Sequence, residues 1–492
     1  MSHLLLYYQR PEPATWVFLS SFLLLGIYFV FHRFFSIRNL DIILLLLLAP
    51  GLMMVYEGRQ LRLVEHEAVA IGDLAIQPAW HFGNQTASPT GGRFVATQND
   101  FAGPNLPATD ASGQSGYPTV PGDASSAGAL EFYGFVALLI ACSFLLLRML
   151  LDPALVRRPL LVPNLSIGGL GFIGISLFMF LMANVITSNP REQRVRGPSL
   201  GPGYALLNML PDLPTIPEED AQAEGSAADL TGVSPGAGSG SPALHWIPNV
   251  ARILAILSNL AIVLGIVGVG YWHFDNVQTG IGCAVMYLLL PYTAQMTGNL
   301  EHVMPAAILV LALLAYRQPL VAGVLLGLAA GLVYYPMFLL PLWISFYWHR
   351  GVARLTLGVC SSLTLLSGLL LLEGVDAFVM HIRRMYGFWL PRMEELEGVW
   401  GPNGIDPLFR LPVLVAFVLL SISFVFWPSR KNLGTLICGT AAVMVAAQFW
   451  HGNGGGLFMA WFLPFVMLTI FRPNLDDRIA TMVVRGPAAA RG

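Results

Sequence analysis

Long apolar runs, separated by short polar or proline-containing breaks, dominate the chain. A helix needs about 20 largely apolar residues to cross the hydrocarbon layer of a membrane, so each long run is a predicted span. Clear runs cover residues 14–32, 41–56, 130–150, 165–188, 249–272, 353–373, 411–428, 434–450 and 457–471. Region 280–349 stays apolar, but prolines and polar turns divide it into four shorter pieces. The pattern predicts an all-α, polytopic helical bundle with about 13 transmembrane helices.

Composition favours a membrane protein and excludes a soluble multidomain enzyme. Of the 492 residues, 55% are hydrophobic and 11% are charged, whereas about 25% of residues are charged in an ordinary soluble domain. The formal net charge is −2 and there are no basic runs, which excludes nucleic acid as a partner. The four cysteines lie far apart within apolar runs, as is typical of packing residues.

The distribution of arginine predicts the orientation of the spans. If the N-terminus lies outside, basic residues collect in alternate short connections, and positively charged loops are retained in the cytoplasm. These connections contain Arg33 and Arg38, Arg148 with Arg157 and Arg158, Arg317, Arg350 and Arg354, Arg430 with Lys431, and Arg472 with Arg478. The rule predicts a cytoplasmic C-terminus and places the long polar segments on the extracytoplasmic side.

The predicted organisation alternates spans with these polar segments. The regions are an N-terminal anchor with the second span (1–56), a first outer loop (57–129), two spans (130–188), a second outer loop (189–248), a transmembrane core (249–373), an outer loop with an interfacial helix (374–410), and three C-terminal spans with a short cytoplasmic tail (411–492). Stretches 101–129 and 212–243 are rich in Gly, Pro, Ser and Ala. Because such sequences bury little apolar surface, we expect disorder there.

Small residues predict where helices pack closely. Gly323, Gly327 and Gly331 lie on one helical stripe, which allows a second helix to approach, and packing within the chain is favoured over dimerisation. The glycines between residues 168 and 174 predict a similar thin patch. Three aromatic residues beside an arginine predict an interfacial belt: Trp343, Tyr347 and Trp348.

Ionisable groups are nearly missing from the predicted spans, which weakens a transporter or channel function. Polar chemistry is concentrated at the predicted outer interface. There, Glu57 and Asp73 stand among apolar residues, and a partly desolvated carboxylate could act as a general base. The alternative is a solvated juxtamembrane helix in which Glu57 and Arg59 neutralise each other.

A second polar group of residues lies in segment 374–410. Arginine suits a phosphate because its planar guanidinium donates two hydrogen bonds, and indole rings suit a sugar face or a lipid tail. The candidates are His381, Arg383, Arg384, Trp389 and Trp400, and a small outer turn adds Glu301 and His302. An amphipathic interfacial helix with its arginines toward lipid head groups explains the same pattern equally well.

The middle of the chain also resembles a known class of membrane enzymes. Proline-bounded spans alternate there with a small turn that contains a glycine and an acidic residue, and an arginine–proline connection precedes a glycine-rich span. The positions are Pro291, Gly298, Glu301, Arg317, Pro319, Gly323 to Gly331, Pro336 and Pro341, followed by the loop Met385 to Gly401. Across residues 272–401, this pattern resembles the C-type (GT-C) membrane glycosyltransferases, especially the polyprenyl-phosphate-mannose-dependent family 87.

The resemblance implies a GT-C-like enzyme of a bacterial inner membrane. It implies transfer of a sugar, mannose being one candidate, from a polyprenyl-phosphate donor to an acceptor hydroxyl on the extracytoplasmic side. Asp73, or failing it Glu57, then removes the acceptor proton, and Arg383 with Arg384 holds the lipid phosphate. The remaining substrate-binding candidates are His381, Trp389, Trp400, Glu301 and His302. The sequence identifies no cofactor, although a divalent cation could assist.

Three departures from the family leave other functions open. The first outer loop has no D-D, E-D or D-x-D pair, Tyr334 and Tyr335 replace the lysine that often precedes the proline of the later span, and loop 189–248 has no counterpart in the family. The alternatives are a non-catalytic polytopic membrane protein that presents its outer loops to partners and, in third place, a transporter.

Overall fold

A computed structural model of the chain describes the helices and the connections that pack against them. The described residues are 11–76, 126–155, 161–191, 201–215, 246–348, 350–371, 374–376, 378–379, 396, 398–401, 404–428, 431–452 and 458–473. Within 63–76, the description is limited to the helical backbone. Most of the two stretches predicted to be disordered lies outside these residues.

The described part of the chain is built from helices. In chain order they are α1 Pro13–Tyr28, α2 Ile37–Leu46, α3 Leu48–Ile76, α4 Ser126–Leu151, α5 Ile167–Ile186, α6 Tyr204–Asn208, α7 Ile247–Trp272, α8 Val277–Leu289, α9 Pro291–Met296, α10 Leu300–Leu314, α11 Pro319–Leu332, α12 Leu340–Tyr347, α13 Val352–Leu370, α14 Arg410–Phe426, α15 Leu433–Trp450 and α16 Leu463–Phe471. Short 3-10 helices precede α12 (Tyr335–Leu339) and α16 (Met459–Trp461).

Seven helical segments are long and apolar enough to cross a membrane. They are Ile37–Arg62, Ser126–Ala154, Ile167–Ile186, Ile247–Trp272, Val352–Leu370, Pro407–Phe426 and Leu433–Trp450. Six further apolar helices are shorter, at 10–17 residues. Within the described ranges no strand forms, and one isolated antiparallel bridge joins Arg191 to Asp212. The protein is therefore an all-α integral membrane protein, as the sequence predicts.

Prolines and a glycine set the helix boundaries inside the apolar middle region. Helix α8 ends at Leu289 because Pro291 disfavours helical geometry in the residue before it, and Leu290 has φ −62° and ψ 132°. Pro319 starts α11, a position where its missing amide hydrogen costs nothing. Gly351 precedes α13 with φ 128°, a conformation that side-chain-bearing residues rarely adopt.

Helix α15 lies at the centre of the bundle. Seventeen of its 18 residues are buried, and it contacts α4, α12, α14 and α16. Much of the helix consists of alanine, glycine and threonine, and a Cβ added at Gly439 would lie 2.8 Å from Leu342 Cδ2. Because lipid provides no hydrophobic drive between helices, such small residues stabilise the contact by allowing close packing.

The predicted glycine stripe of α11 packs against α13. A Cβ added at Gly327 would lie 2.7 Å from the carbonyl oxygen of Val359, and at Gly323 the carbonyl oxygen of Leu355 occupies the same space. Gly358 of α13 faces back toward the α11 backbone. The prediction of close packing within the chain is confirmed.

Two other packing predictions are wrong in part. Gly168 and Gly171 have no heavy atom within 4 Å of an added Cβ, whereas a Cβ added at Gly174 would lie 3.1 Å from Val285 Cγ2 of α8. Of the predicted patch, therefore, Gly174 marks a close helix contact and Gly168 and Gly171 do not. Trp343 and Tyr347 are buried inside the bundle, and Trp343 Nε1 donates a 3.3 Å hydrogen bond to a threonine hydroxyl of α15. Of the expected aromatic belt, only Trp348 is exposed. Which face of a uniformly apolar helix turns inward depends on its neighbours, and the local pattern does not reveal it.

Helices α3 and α4 form one of the closest pairs in the bundle. A Cβ added at Gly58 would lie 2.7 Å from the Glu131 amide nitrogen, and one at Gly134 would lie 2.7 Å from the Val55 amide nitrogen. Helix α3 continues beyond the predicted end of its span at residue 56 and ends at Ile76. The pair thus extends from the membrane into the segment predicted as the first outer loop.

A buried group of charges joins α2, α4 and the chain after α16. We call it the Asp152 cluster; it consists of Asp41, Arg148, Asp152 and Arg472. Arg148 donates to both Asp41 carboxylate oxygens at 2.7 and 3.0 Å and to Asp152 at 3.0 Å. Arg472 pairs with the second oxygen of Asp152. The two acids balance the two arginines within the cluster.

Candidate functional site

The first turn of α10 presents Glu301 and His302 at the end of the bundle predicted to be extracytoplasmic. Helix α9 ends at Met296, and Asn299 is the N-cap of α10. A carboxylate in a first helical turn is stabilised by the amide dipoles that point toward it. The turn therefore combines an acid and an imidazole at a helix start.

Two separate segments hold Glu301. Its carboxylate accepts a 3.0 Å hydrogen bond from the Tyr204 hydroxyl, and its backbone carbonyl accepts a 3.1 Å bond from Trp461 Nε1. Tyr204 and Trp461 are buried, whereas Glu301 is only partly buried. The carboxylate is therefore positioned by buried partners while it keeps access to its surroundings.

His302 is buried and fixed from two sides. The Tyr292 hydroxyl lies 2.6 Å from its Nδ1 atom. The Phe458 ring stacks on the imidazole, with ring centroids 4.3 Å apart and planes 18° apart. These contacts set the orientation of the ring beside Glu301.

Residues 201–215 form a cover over this end of the bundle, which we call the cover segment. The Gly203 amide donates to the carbonyl oxygen of Gly331 at 2.8 Å, and Thr215 Oγ1 donates to the carbonyl oxygen of Gln295 at 2.7 Å. Tyr204, which holds Glu301, belongs to the same segment. Part of the second outer loop of the sequence thus packs directly on the candidate site.

Aromatic rings line the site on the side of α15 and α16. Phe458 stacks on Trp461 with centroids 4.4 Å apart, and His451 stacks on Tyr335 at 4.5 Å. Tyr334 donates to the Tyr335 hydroxyl at 3.0 Å, and burial raises the pKa of Tyr334 to about 12. Aromatic faces of this kind suit the apolar face of a sugar ring.

A second charged group, the Glu131 cluster, lies where α3 and α4 reach the same end. It consists of Arg59, Arg62 and Glu131. Arg59 Nε lies 3.1 Å from one Glu131 carboxylate oxygen, and Arg62 pairs with the other. The charge of Arg59 acts through space on the His302 imidazole. The cluster therefore lies within electrostatic range of the Glu301 site.

Of the nine sequence-predicted site residues, the structure describes four with their side chains, one by its backbone only, and leaves four outside the described ranges. Glu301 and His302 lie in the site, and Trp400 is buried, with its Nε1 donating a 2.9 Å bond to the Phe449 carbonyl oxygen at the end of α15. Glu57 is exposed, about 200° around the helix from Arg59. Only the backbone of Asp73 is described, in the last turns of α3. Four candidates lie outside the described residues: His381, Arg383, Arg384 and Trp389.

Sequence reasoning missed Tyr204 and Glu131 as site residues and treated Arg59 only as a partner of Glu57. The spacing of Arg59 and Arg62 was an available signal, because residues three apart share a helix face. Tyr204 gave no signal, since it lies in a segment without a helical pattern.

The described residues contain no group of three His, Cys, Asp or Glu side chains that could hold a metal ion. The divalent cation considered from the sequence therefore has no ligand set to which we can assign it. No protein-family model, curated protein or solved structure matches this chain.

Proposed function

We propose that the protein is a membrane glycosyltransferase that moves a sugar from a polyprenyl-phosphate donor to an acceptor hydroxyl on the extracytoplasmic side. The observation that supports this function is the joint placement of Glu301, His302 and an aromatic wall at one end of an apolar bundle. A donor anchored in the membrane reaches such a site without leaving the lipid.

The same proposal includes the finer architecture. We propose about 13 crossings in a GT-C-like arrangement in a bacterial inner membrane, with the N-terminus outside and the C-terminus in the cytoplasm. In support, basic residues collect in alternate short connections, and six shorter apolar helices accompany the seven long ones.

In the proposed reaction, Glu301 takes the proton of the acceptor hydroxyl. The acceptor oxygen forms a bond to the anomeric carbon of the sugar while the bond from that carbon to the phosphate oxygen breaks. The polyprenyl phosphate leaves with the bonding electron pair. The hydrogen bond from Tyr204 orients the carboxylate, and His302 lines the site. Asp73 remains the alternative base, and Arg383 with Arg384 remains a candidate phosphate contact.

The test is transfer of labelled mannose from polyprenyl-phosphate-mannose in membranes that contain the full chain. We expect Glu301→Gln to lower turnover about a hundredfold or more, because general-base catalysis contributes at least that factor. Asp73→Asn tests the alternative base, and Glu57→Gln tests the second base that the resemblance implies, which is exposed on α3. Full turnover in Glu301→Gln with loss in Asp73→Asn would assign the base to Asp73. No transfer by the unaltered chain would favour the non-catalytic alternative.

A further inference from the structure

We propose that Arg59 and Arg62 form a binding site for the phosphate group of a membrane lipid, with Glu131 holding both arginines in place. The site is distinct from the sequence candidates Arg383 and Arg384. Only the identification of this lipid with the sugar donor rests on the proposed function.

The charge of the cluster is not balanced. Two guanidinium groups share the single carboxylate of Glu131, so the cluster carries a net charge of +1. Arg59 uses its Nε atom and Arg62 one Nη atom in these pairs, whereas each guanidinium has five N–H donors. The remaining donors match a phosphate, which accepts paired hydrogen bonds from the planar guanidinium.

Glu131 itself is out of reach of a competing cation. Its side chain is 9% exposed, against 41% for Arg59 and 43% for Arg62. The close contact of Gly58 with the Glu131 backbone buries the carboxylate between the helices. The Arg59 guanidinium also lies 5.7 Å from the centre of the Phe135 ring. The arginines are therefore fixed on their inner side and accessible on the other.

The level of the arginines in the bundle fits a lipid phosphate. The apolar, membrane-crossing segment Ile37–Arg62 comprises α2 and the first half of α3, so both arginines lie in its last turn. Basic side chains at such helix ends meet the head-group region. Glu57, which would repel an anion, lies on the opposite side of the helix and is exposed there.

The electrostatic range of Arg59 connects this site to the proposed chemistry. The charge of Arg59 acts on the His302 imidazole, and Glu301 is the adjacent residue. The phosphate of a bound lipid would therefore lie at the same end of the bundle as the Glu301 carboxylate.

The test measures binding to the full-length protein in detergent by the shift in Tm. The probes are farnesyl phosphate, farnesol, inorganic phosphate and phosphatidylglycerol. We expect farnesyl phosphate, but not farnesol, to stabilise the protein. Arg59→Gln and Arg62→Gln should each weaken its binding about tenfold, the effect expected from loss of one charge-assisted interaction. The control Arg252→Gln, at the same end and held by the Ser188 carbonyl at 2.9 Å, should bind as the unaltered protein does.

A second variant separates a binding role from a structural one. Glu131→Gln keeps a side-chain oxygen that can accept a hydrogen bond from an arginine and so hold it in place, but it removes the negative charge that competes with a phosphate for the two guanidinium groups. We therefore expect tighter binding of farnesyl phosphate. Unchanged or weaker binding in folded Glu131→Gln would overturn the proposal, as would unchanged binding in folded Arg59→Gln and Arg62→Gln proteins.

The remaining outcomes distinguish the possible sources of the phosphate. Inorganic phosphate that binds as tightly as farnesyl phosphate would overturn the assignment to a lipid. Equal competition by phosphatidylglycerol would support a lipid-phosphate site but break its link to the sugar donor. Lipid binding that depends on the arginines, in a protein that transfers no sugar, would keep this site and remove the proposed function.

Discussion

The two ends of helix α4 carry charge clusters of opposite character. Arg148 belongs to the Asp152 cluster and Glu131 to the Glu131 cluster, about 25 Å apart along the same helix. In the Asp152 cluster two acids match two arginines, and no member side chain is more than 12% exposed. In the Glu131 cluster one acid faces two half-exposed arginines. The Asp152 cluster, in which the charges balance and are buried, joins helices. The Glu131 cluster, with one excess positive charge on half-exposed arginines, can accept an anion.

The largest expected effect is the loss of stability when the Asp152 cluster is broken. Asp152→Ala would leave Arg148 and Arg472 partly uncompensated in a buried environment, and breaking a buried pair in this way costs about 3–5 kcal/mol. We expect a large fall in Tm or failure to fold. Purified protein in detergent, followed by thermal unfolding, provides the measurement. Glu131→Ala is the matched control and should lower stability by only about 1 kcal/mol. Equal losses in the two variants would remove the distinction between the clusters.

The next effect, also on stability, tests the helix contact that positions the Glu131 cluster. Gly58→Ala places a methyl group 2.7 Å from the Glu131 amide nitrogen, which forces α3 and α4 apart at one end. We expect a loss of about 1–3 kcal/mol, as for other overpacked contacts. The control is Gly26→Ala in α1, where an added Cβ has no atom within 4 Å; this change should stabilise the helix by up to about 1 kcal/mol. A stable Gly58→Ala protein would show that the contact is not tight.

Added salt should weaken interactions of the Glu131 cluster more than those of the Asp152 cluster. At about 1 M salt the Debye length falls to about 3 Å, which screens exposed charges far more than buried ones. Binding of farnesyl phosphate should therefore weaken with added sodium chloride, whereas the difference in Tm between the unaltered protein and Asp152→Asn should change little. Binding that is insensitive to salt would argue against an open, charged site.

The smallest expected effect is in the labelling of a single amine, which tests which end of the bundle faces the cytoplasm. Lys431 is the only lysine of the sequence. It lies just before the start of α15, where Gly434 packs against Arg472. Burial lowers the pKa of Lys431 from 10.5 to about 8. The amine is mostly protonated and unreactive below that pH, so labelling by an impermeant amine reagent should rise as the pH passes through about 8. We expect peptide mapping to find the label in inverted vesicles only; label in right-side-out vesicles would reverse the orientation.

The sequence anticipated the class of fold because the signal for a membrane helix is local. Every predicted long run contains a helix, and the stripe Gly323, Gly327 and Gly331 correctly predicted a close contact. Among the similar glycines from 168 to 174, Gly168 and Gly171 mark no close contact, since close approach needs a partner helix with a matching surface. The candidate site also divides into local and remote parts. Glu301 and His302 could be predicted because they are neighbours in a short turn. Tyr204, which lies 97 positions from Glu301 in sequence, could not be predicted.

What the sequence determined by itself is therefore a chain of apolar helices with polar chemistry confined to their ends. This information is contained in short windows, because hydrocarbon thickness and proline geometry act on consecutive residues. The tertiary structure alone decided which ends meet. Arg59 reaches Glu131 across 72 positions and Arg472 reaches Asp152 across 320. Pairs so remote in sequence form only when packing brings their helices together, so no local pattern encodes them.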